Sequence, residues 1–124
     1  MVKNMFLAGI AALMMFAAQA WAADTTPKSV IHVITIQWKS DATPDKIDKA
    51  IKGAEALPAQ YSGITHVWTK PIKKQLPEGY SHVIVMEFAS EDALQKYAGS
   101  AAQKHWYELY MPIREESRTS DITN

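Results

Sequence analysis

Three histidines sit inside β-branched and aromatic stretches of this chain. His32 lies in Val-Ile-His-Val-Ile-Thr-Ile-Gln-Trp (30–38), His66 in Ile-Thr-His-Val-Trp-Thr (64–69), and His82 in Gly-Tyr-Ser-His-Val-Ile-Val-Met-Glu-Phe (79–88). Imidazole changes charge near neutral pH, so each is a candidate acid, base or metal ligand. Strand side chains alternate, which puts His32 with Ile34, Ile36 and Trp38, and His82 with Tyr80, Ile84, Met86 and Phe88. If the two segments are neighbouring parallel strands, His32 and His82 near their starts lie close together. They then form a polar anchor or an acid–base pair at the floor of a pocket, with Ile34 and Ile84 beside them. The bland alternative is a pair of core histidines satisfied by backbone or by each other. His66 shares its alternation with Ile64 and Trp68. Were it to face inward, His32, His66 and His82 would make a three-histidine site for zinc or copper, although the spacings carry no metal signature. No cofactor is expected.

These segments need positioning elements. Thr43-Pro44-Asp45 caps and opens a helix. Its apolar stripe is Ile47, Ala50, Ile51, Ala54 and Leu57, and Pro58 ends it. Residues 70–79 form a polar connection containing two prolines, unsuited to a strand. Ser90-Glu91-Asp92 starts a second helix that buries Ala93, Leu94, Tyr97 and Ala98, and Gly99 breaks it. Ser100 and Gln103 form a capping box for a third helix carrying Ala102, Trp106, Leu109, Tyr110 and Ile113 on one face, ended by Pro112. Residues 118–122 are a weak last strand. The order predicts an α+β, ferredoxin-like βαββαβ fold, a four-stranded antiparallel sheet with helices on one face. The first and third strands lie side by side at its centre. The helix-free face then carries Ile31, Val33, Val83 and Val85, and an apolar patch of that kind predicts a homodimer packed sheet against sheet.

The beginning of the chain reads as an address. Lys3 precedes the apolar run 5–18, and Ala20-Trp21-Ala22 is a cleavage pattern. The run is shorter than the roughly 20 residues of a membrane span. Residues 1–22 are therefore expected to be a cleaved signal peptide, giving a periplasmic or secreted protein with no stable membrane anchor. A loose leader at 23–29 and one domain at 30–124 follow. With 13 basic and 13 acidic residues there is no basic excess for nucleic acid. Cysteine is absent, which excludes thiol catalysis and cysteine-ligated zinc.

The segments His32-Val33-Ile34, Gly79-Tyr80-Ser81-His82 and Phe88-Ala89-Ser90-Glu91-Asp92-Ala93-Leu94-Gln95-Lys96-Tyr97 together resemble the stress-responsive dimeric α/β-barrel (Dabb) family. The resemblance implies the ferredoxin-like fold, with two sheets forming a barrel across the dimer. Members range from proteins without known activity to a plant polyketide cyclase, olivetolic acid cyclase, to which this chain is distantly similar. In that enzyme a histidine and a tyrosine from the second helical region act on a polyketide held between sheet and helices. The resemblance implies that His32 and His82 match the family's strand histidines and that Tyr97 matches the catalytic tyrosine. Gln103 stands where the catalytic histidine belongs. An amide has no pKa near working pH, so cyclase chemistry in the plant manner is not expected. His105 does not substitute, because two helical residues turn the side chain through about 200°.

The first expectation is thus an exported homodimer binding an apolar or aromatic small molecule between sheet and helices. Its ligand contacts would come from His32, Ile34, His82, Ile84, Tyr97 and Gln103. The second is a cyclase, isomerase or cofactor-free oxygenase using His82 or His32, with Tyr97. A third is an assembly domain whose histidines are ordinary core. The other helical aromatics, Trp106, Tyr107 and Tyr110, read as core or interface filling.

Overall fold

The computed structural model describes residues 28–124. The expected signal peptide at 1–22 and residues 23–27 of the leader lie outside the described residues. The chain folds as β1 (Val30–Trp38), α1 (Pro44–Glu55), α2 (Leu57–Gln60), β2 (Ile64–Trp68), β3 (His82–Phe88), α3 (Glu91–Tyr97), α4 (Ala101–Tyr110) and β4 (Arg114–Ile122). The strands form one sheet in the order β2-β3-β1-β4. Every neighbouring pair is antiparallel. This is the α+β, ferredoxin-like arrangement expected.

Each boundary has a local cause. Thr43 caps α1 by accepting the Lys46 N–H at 3.3 Å, with Pro44 where its missing donor costs nothing. Pro58 does not end a continuous helix at Leu57. Instead α1 stops at Glu55 with Ala56 as its cap, and Pro58 falls in the first turn of the short α2, again a place where no N–H is needed. Ser90 caps α3 through the Ala93 N–H at 3.1 Å, and Ser100 caps α4 through the Gln103 N–H at 3.2 Å. Gly99 joins the two helices with φ +76°, a left-handed conformation that suits glycine. The last strand is longer than residues 118–122, beginning at Arg114. Pairing with β1 along its length holds a polar, charged sequence extended.

The core lies between the sheet and the helices. Ile34, Ile36, Ile84, Met86 and Phe88 from β1 and β3 meet Ala50, Ala54, Leu57, Tyr97, Trp106 and Tyr110. Trp106 ties α4 to α1 by donating its indole N–H to the Ala50 carbonyl at 2.9 Å. Gly53 lets the two helices approach, since a β-carbon there would lie 2.9 Å from Leu109 and 3.1 Å from Trp106. On the helix-free face Ile31, Val33, Val83 and Val85 are half-buried, with Val33 directly opposite Val85.

Strand direction corrects one expectation. β1 and β3 are central neighbours but antiparallel, with His32 opposite Met86 and His82 opposite Ile36. The helical crossover from β1 makes β2 run parallel to it, and β3, reached without a crossover, reverses. His32 and His82 are therefore four positions apart along the ladder, about 14 Å at roughly 3.4 Å per residue. They do not form a pair.

A second correction concerns His66. The β2–β3 register shifts between Ile64 and His66, so Ile64 faces Phe88 in the core while His66 faces Glu87 on the helix-free side. A bulge breaks the period of two, and the alternation that grouped Ile64 with His66 fails there. Tyr80 is likewise not on the helix side. It precedes β3, after a turn at Gly79 (φ +85°), and lies 5.0 Å from the guanidinium of Arg118.

Candidate functional site

Between the sheet and the helices α3 and α4 lies a cavity of about 320 Å³. β1 supplies His32 and Ile34, β3 supplies Met86, and β4 supplies Asp121 from directly opposite His32. Tyr97 enters from the end of α3; Gln103, Trp106 and Tyr110 enter from successive turns of α4. Arg114, at the start of β4, completes the wall.

The imidazole of His32 is held by its carboxylate neighbour. Its Nδ1 lies 2.5 Å from Asp121 Oδ1, and its ring meets the edge of Phe88 at 5.8 Å. An ionised carboxylate only accepts, so the proton sits on Nδ1 and a neutral His32 keeps the Nε2 lone pair free. The His32 side chain is 17% exposed and that of Asp121 is 45% exposed, which puts the pair at the cavity's mouth.

Deeper in, polar groups lack partners. The hydroxyls of Tyr97 and Tyr110 and the Nε of Arg114 are buried and have no hydrogen-bond partner among the described residues. All three side chains line this cavity. Burial pushes the Tyr97 phenol well above its ordinary range, and Tyr110 up as well, so both stay protonated donors. The Tyr97 ring is fixed between Phe88 at 5.3 Å and Tyr61 at 5.7 Å. Arg114 is steadied by donating from Nη1 to Ser117 Oγ at 3.1 Å.

Gln103 is at the wall, with much of its capacity used locally. Its Oε1 accepts the Gly99 N–H at 2.6 Å, and its amide donates to the Tyr107 hydroxyl at 3.2 Å. The capping box thus closes one residue earlier than Ser100, whose own N–H goes to the Tyr97 carbonyl at 2.9 Å.

His82 and Ile84 are not at this cavity. Ile84 is fully buried in the core. His82 lies at the other end of the β1–β3 ladder, where Trp38 Nε1 donates to its Nδ1 at 2.8 Å and Ser81 Oγ lies 2.8 Å from the same nitrogen. Burial holds His82 below the ordinary histidine range, and the nearby Lys74 ammonium adds to this. A wall of rings separates the two ends, for Trp38 packs edge-on against both His82 (5.5 Å) and Tyr110 (6.0 Å).

The three-histidine metal site is contradicted by this geometry. His32 and His82 sit at opposite ends of the ladder, and His66 lies on the other sheet face, 2.7 Å from Glu87 Oε1. No group of three or more His, Cys, Asp or Glu is placed to hold a metal ion among the described residues. His105 is exposed on α4 and belongs to neither end. Sequence reasoning missed Asp121 and Arg114, which depend on where β4 pairs, and the role of Tyr110 at the end of α4.

Comparison with known proteins agrees with this architecture. The model of the Stress responsive A/B Barrel Domain matches residues 30–124. No curated protein matches the chain significantly. Among solved structures, hydroxynitrile lyase from Passiflora edulis superposes with a TM-score of 0.70 at 16% identity, covering 79% of this chain and 94% of that one. A dimeric ferredoxin-like protein of unknown function from Thermobifida fusca gives 0.67 at 15% identity, covering 80% and 93%. SnoaB, a cofactor-independent oxygenase from Streptomyces nogalater, gives 0.61 at 12% identity, covering 78% and 93%. At such identities the likeness establishes the fold alone.

Proposed function

This chain belongs to the stress-responsive A/B barrel domain family, and we propose that it is an exported homodimer binding an apolar or aromatic small molecule with an oxygen acceptor. The ligand occupies the cavity between the sheet and α3–α4. One observation carries this reading: Tyr97, Tyr110 and Arg114, whose buried hydroxyl and Nε atoms have no partner among the described residues, all line that cavity. Buried polar groups are paired in the great majority of cases, and unpaired ones on the walls of one space fit a carbonyl or carboxylate oxygen supplied from outside. The ring faces and Ile34 and Met86 suit an apolar body, and about 320 Å³ is at the small end of ligand pockets.

Dimerisation is proposed through Ile31, Val33, Val83 and Val85. Its support is their apolar exposure on a sheet face without helices and the dimeric state of the Thermobifida fusca relative. Export rests on the Lys3 to Ala22 segment. Native mass spectrometry of protein isolated from its exported form tests all of this together. The expected masses are a dimer of chains beginning at Ala23, each carrying a small molecule that is lost in Tyr97→Phe with Tyr110→Phe. An unliganded dimer that also binds no aromatic carbonyl compound added to it would refute the ligand reading. A Val83→Glu dimer would refute the interface.

His32 favours a second reading. An imidazole whose Nδ1 is occupied by a carboxylate has a free Nε2, and Tyr97 and Tyr110 offer donors in the same cavity. That is the equipment for taking a proton from carbon next to a carbonyl: Nε2 receives the proton and a phenol donates to the oxygen where charge gathers. Two relatives of the same fold are a lyase and a cofactor-independent oxygenase. Exchange of the α-protons of acetophenone in D₂O, followed by NMR, is the direct test. Exchange is expected above the His32→Ala background; equal rates in both proteins would remove the enzymatic reading.

A further inference from the structure

A second concavity, of about 570 Å³, opens on the far side of the ring wall, beneath α1. One side is the apolar lower face of α1, with Pro44, Ile47 and Ile51; the other is Thr69 and Lys70, just past the end of β2, and His82 also lines it. We propose that this groove is a binding site for a small apolar carboxylate, separate from the cavity at His32. Its apolar body lies on Ile47 and Ile51, and its carboxylate takes a hydrogen bond from His82 Nε2 and the charge of Lys70.

The tautomer of His82 is set by its neighbours. Trp38 Nε1 can only donate, so the Nδ1 it reaches at 2.8 Å must accept. The ring proton of neutral His82 therefore sits on Nε2, which has no partner among the described residues. Protonating Nδ1 would break the Trp38 bond, and burial opposes it as well. His82 is held as a neutral donor and cannot serve as a base through Nε2.

The charges of the groove favour an anion. Of the two acidic side chains on its wall, Asp48 is paired with Lys52 Nζ at 2.9 Å, while Glu55 accepts from Thr69 Oγ1 at 2.6 Å and keeps its negative charge. Lys70 has no ion pair among the described residues, and Lys74, bonded to the Ser81 carbonyl, adds positive charge beside His82. Lys70 offsets Glu55, and Lys74 leaves one positive charge in excess beside His82, which attracts a carboxylate.

The test is an NMR titration of the ¹⁵N-histidine-labelled full protein with phenylacetate, 2-phenylethanol and 2-phenylethylamine. Saturable shifts of the His82 Nε2–H are expected with phenylacetate, at least about tenfold tighter than with the alcohol or the amine. Lys70→Met, at an exposed position, is expected to lower the phenylacetate affinity severalfold and leave the alcohol's unchanged. A response at His82 supports the site whether or not His32 also responds. Shifts confined to His32, equal affinities across the three probes, or no shift at His82 up to the solubility limit would overturn it. Because the two histidines report separately, failure here leaves the reading of the His32 cavity intact.

Discussion

At one end of the β1–β3 ladder a histidine is held by a carboxylate, and at the other by an indole. Asp121 can only accept, so His32 keeps its proton on Nδ1 and presents a lone pair. Trp38 can only donate, so His82 gives up its Nδ1 lone pair and presents an N–H. Residues of the same type, on the same sheet face, are thereby assigned opposite chemistry by one cross-strand neighbour each. Acid–base potential belongs to the His32 end and hydrogen-bond donation to the His82 end. The wall of Trp38 and Tyr110 keeps the two apart.

Removing the carboxylate is the strongest way to break that contrast. In Asp121→Asn the side-chain amide can donate to Nδ1, which moves the ring proton to Nε2 and makes His32 resemble His82. Any α-proton exchange the cavity promotes should fall about 100-fold or more, the usual worth of a positioned base. ¹⁵N shifts of the His32 ring would report the tautomer change while those of His82 stay fixed. Undiminished exchange in this variant would mean that His32 does not act as a base.

The orphan donors sharpen the contrast from the side of stability. Tyr97→Phe removes a buried hydroxyl without a partner and leaves the ring packing against Phe88 and Tyr61. Thermal unfolding should show the variant unchanged or more stable, by up to about 1 kcal/mol. Ligand affinity should drop about tenfold, the equivalent of one lost hydrogen bond of about 1.4 kcal/mol. A residue that costs stability and improves binding is what a ligand site predicts. Lower stability in Tyr97→Phe would instead show the hydroxyl already satisfied, and the cavity argument would lose one of its three supports.

Much of the fold was legible because amphipathic helices and caps are local. Thr43, Ser90 and Ser100 announced three helices, and the stripe from Ile47 to Leu57 identified the face that packs. The site was less legible because its partners are distant in sequence. His32 and Asp121 are 89 positions apart, and β4 is too polar to advertise itself as a strand. Once β4 is paired, Asp121, Arg114 and Ser117 come with it to the cavity. Trp38 was visible on the same face as Ile36, yet its contact with His82 follows only from antiparallel pairing. His66 was misassigned for a different reason: a single-residue bulge is invisible to alternation, and it reversed every side chain from His66 onward. Tyr97 and Gln103 do reach the cavity wall, at positions the family resemblance indicated, while His82 and Ile84 do not.

The smallest expected effect tests the His82 end through pH. Its folded-state pKa lies below the ordinary value of 6.5, first because burial disfavours the charged ring and second because Lys74 repels it. Below about pH 6.5 the unfolded chain therefore binds a proton more readily than the folded one. The contribution of neutral His82 is complete above that pH and is lost progressively as pH falls toward the folded-state value. Denaturant midpoints between pH 7.5 and 5 should decline in the parent protein, and the decline should be shallower in His82→Gln. Trp38→Phe should have an intermediate slope, because burial remains while the bond that forbids a proton on Nδ1 is gone. Identical slopes in the parent and His82→Gln would mean that His82 charges as freely in the fold as outside it, and the two ends of the ladder would then differ only in their partners.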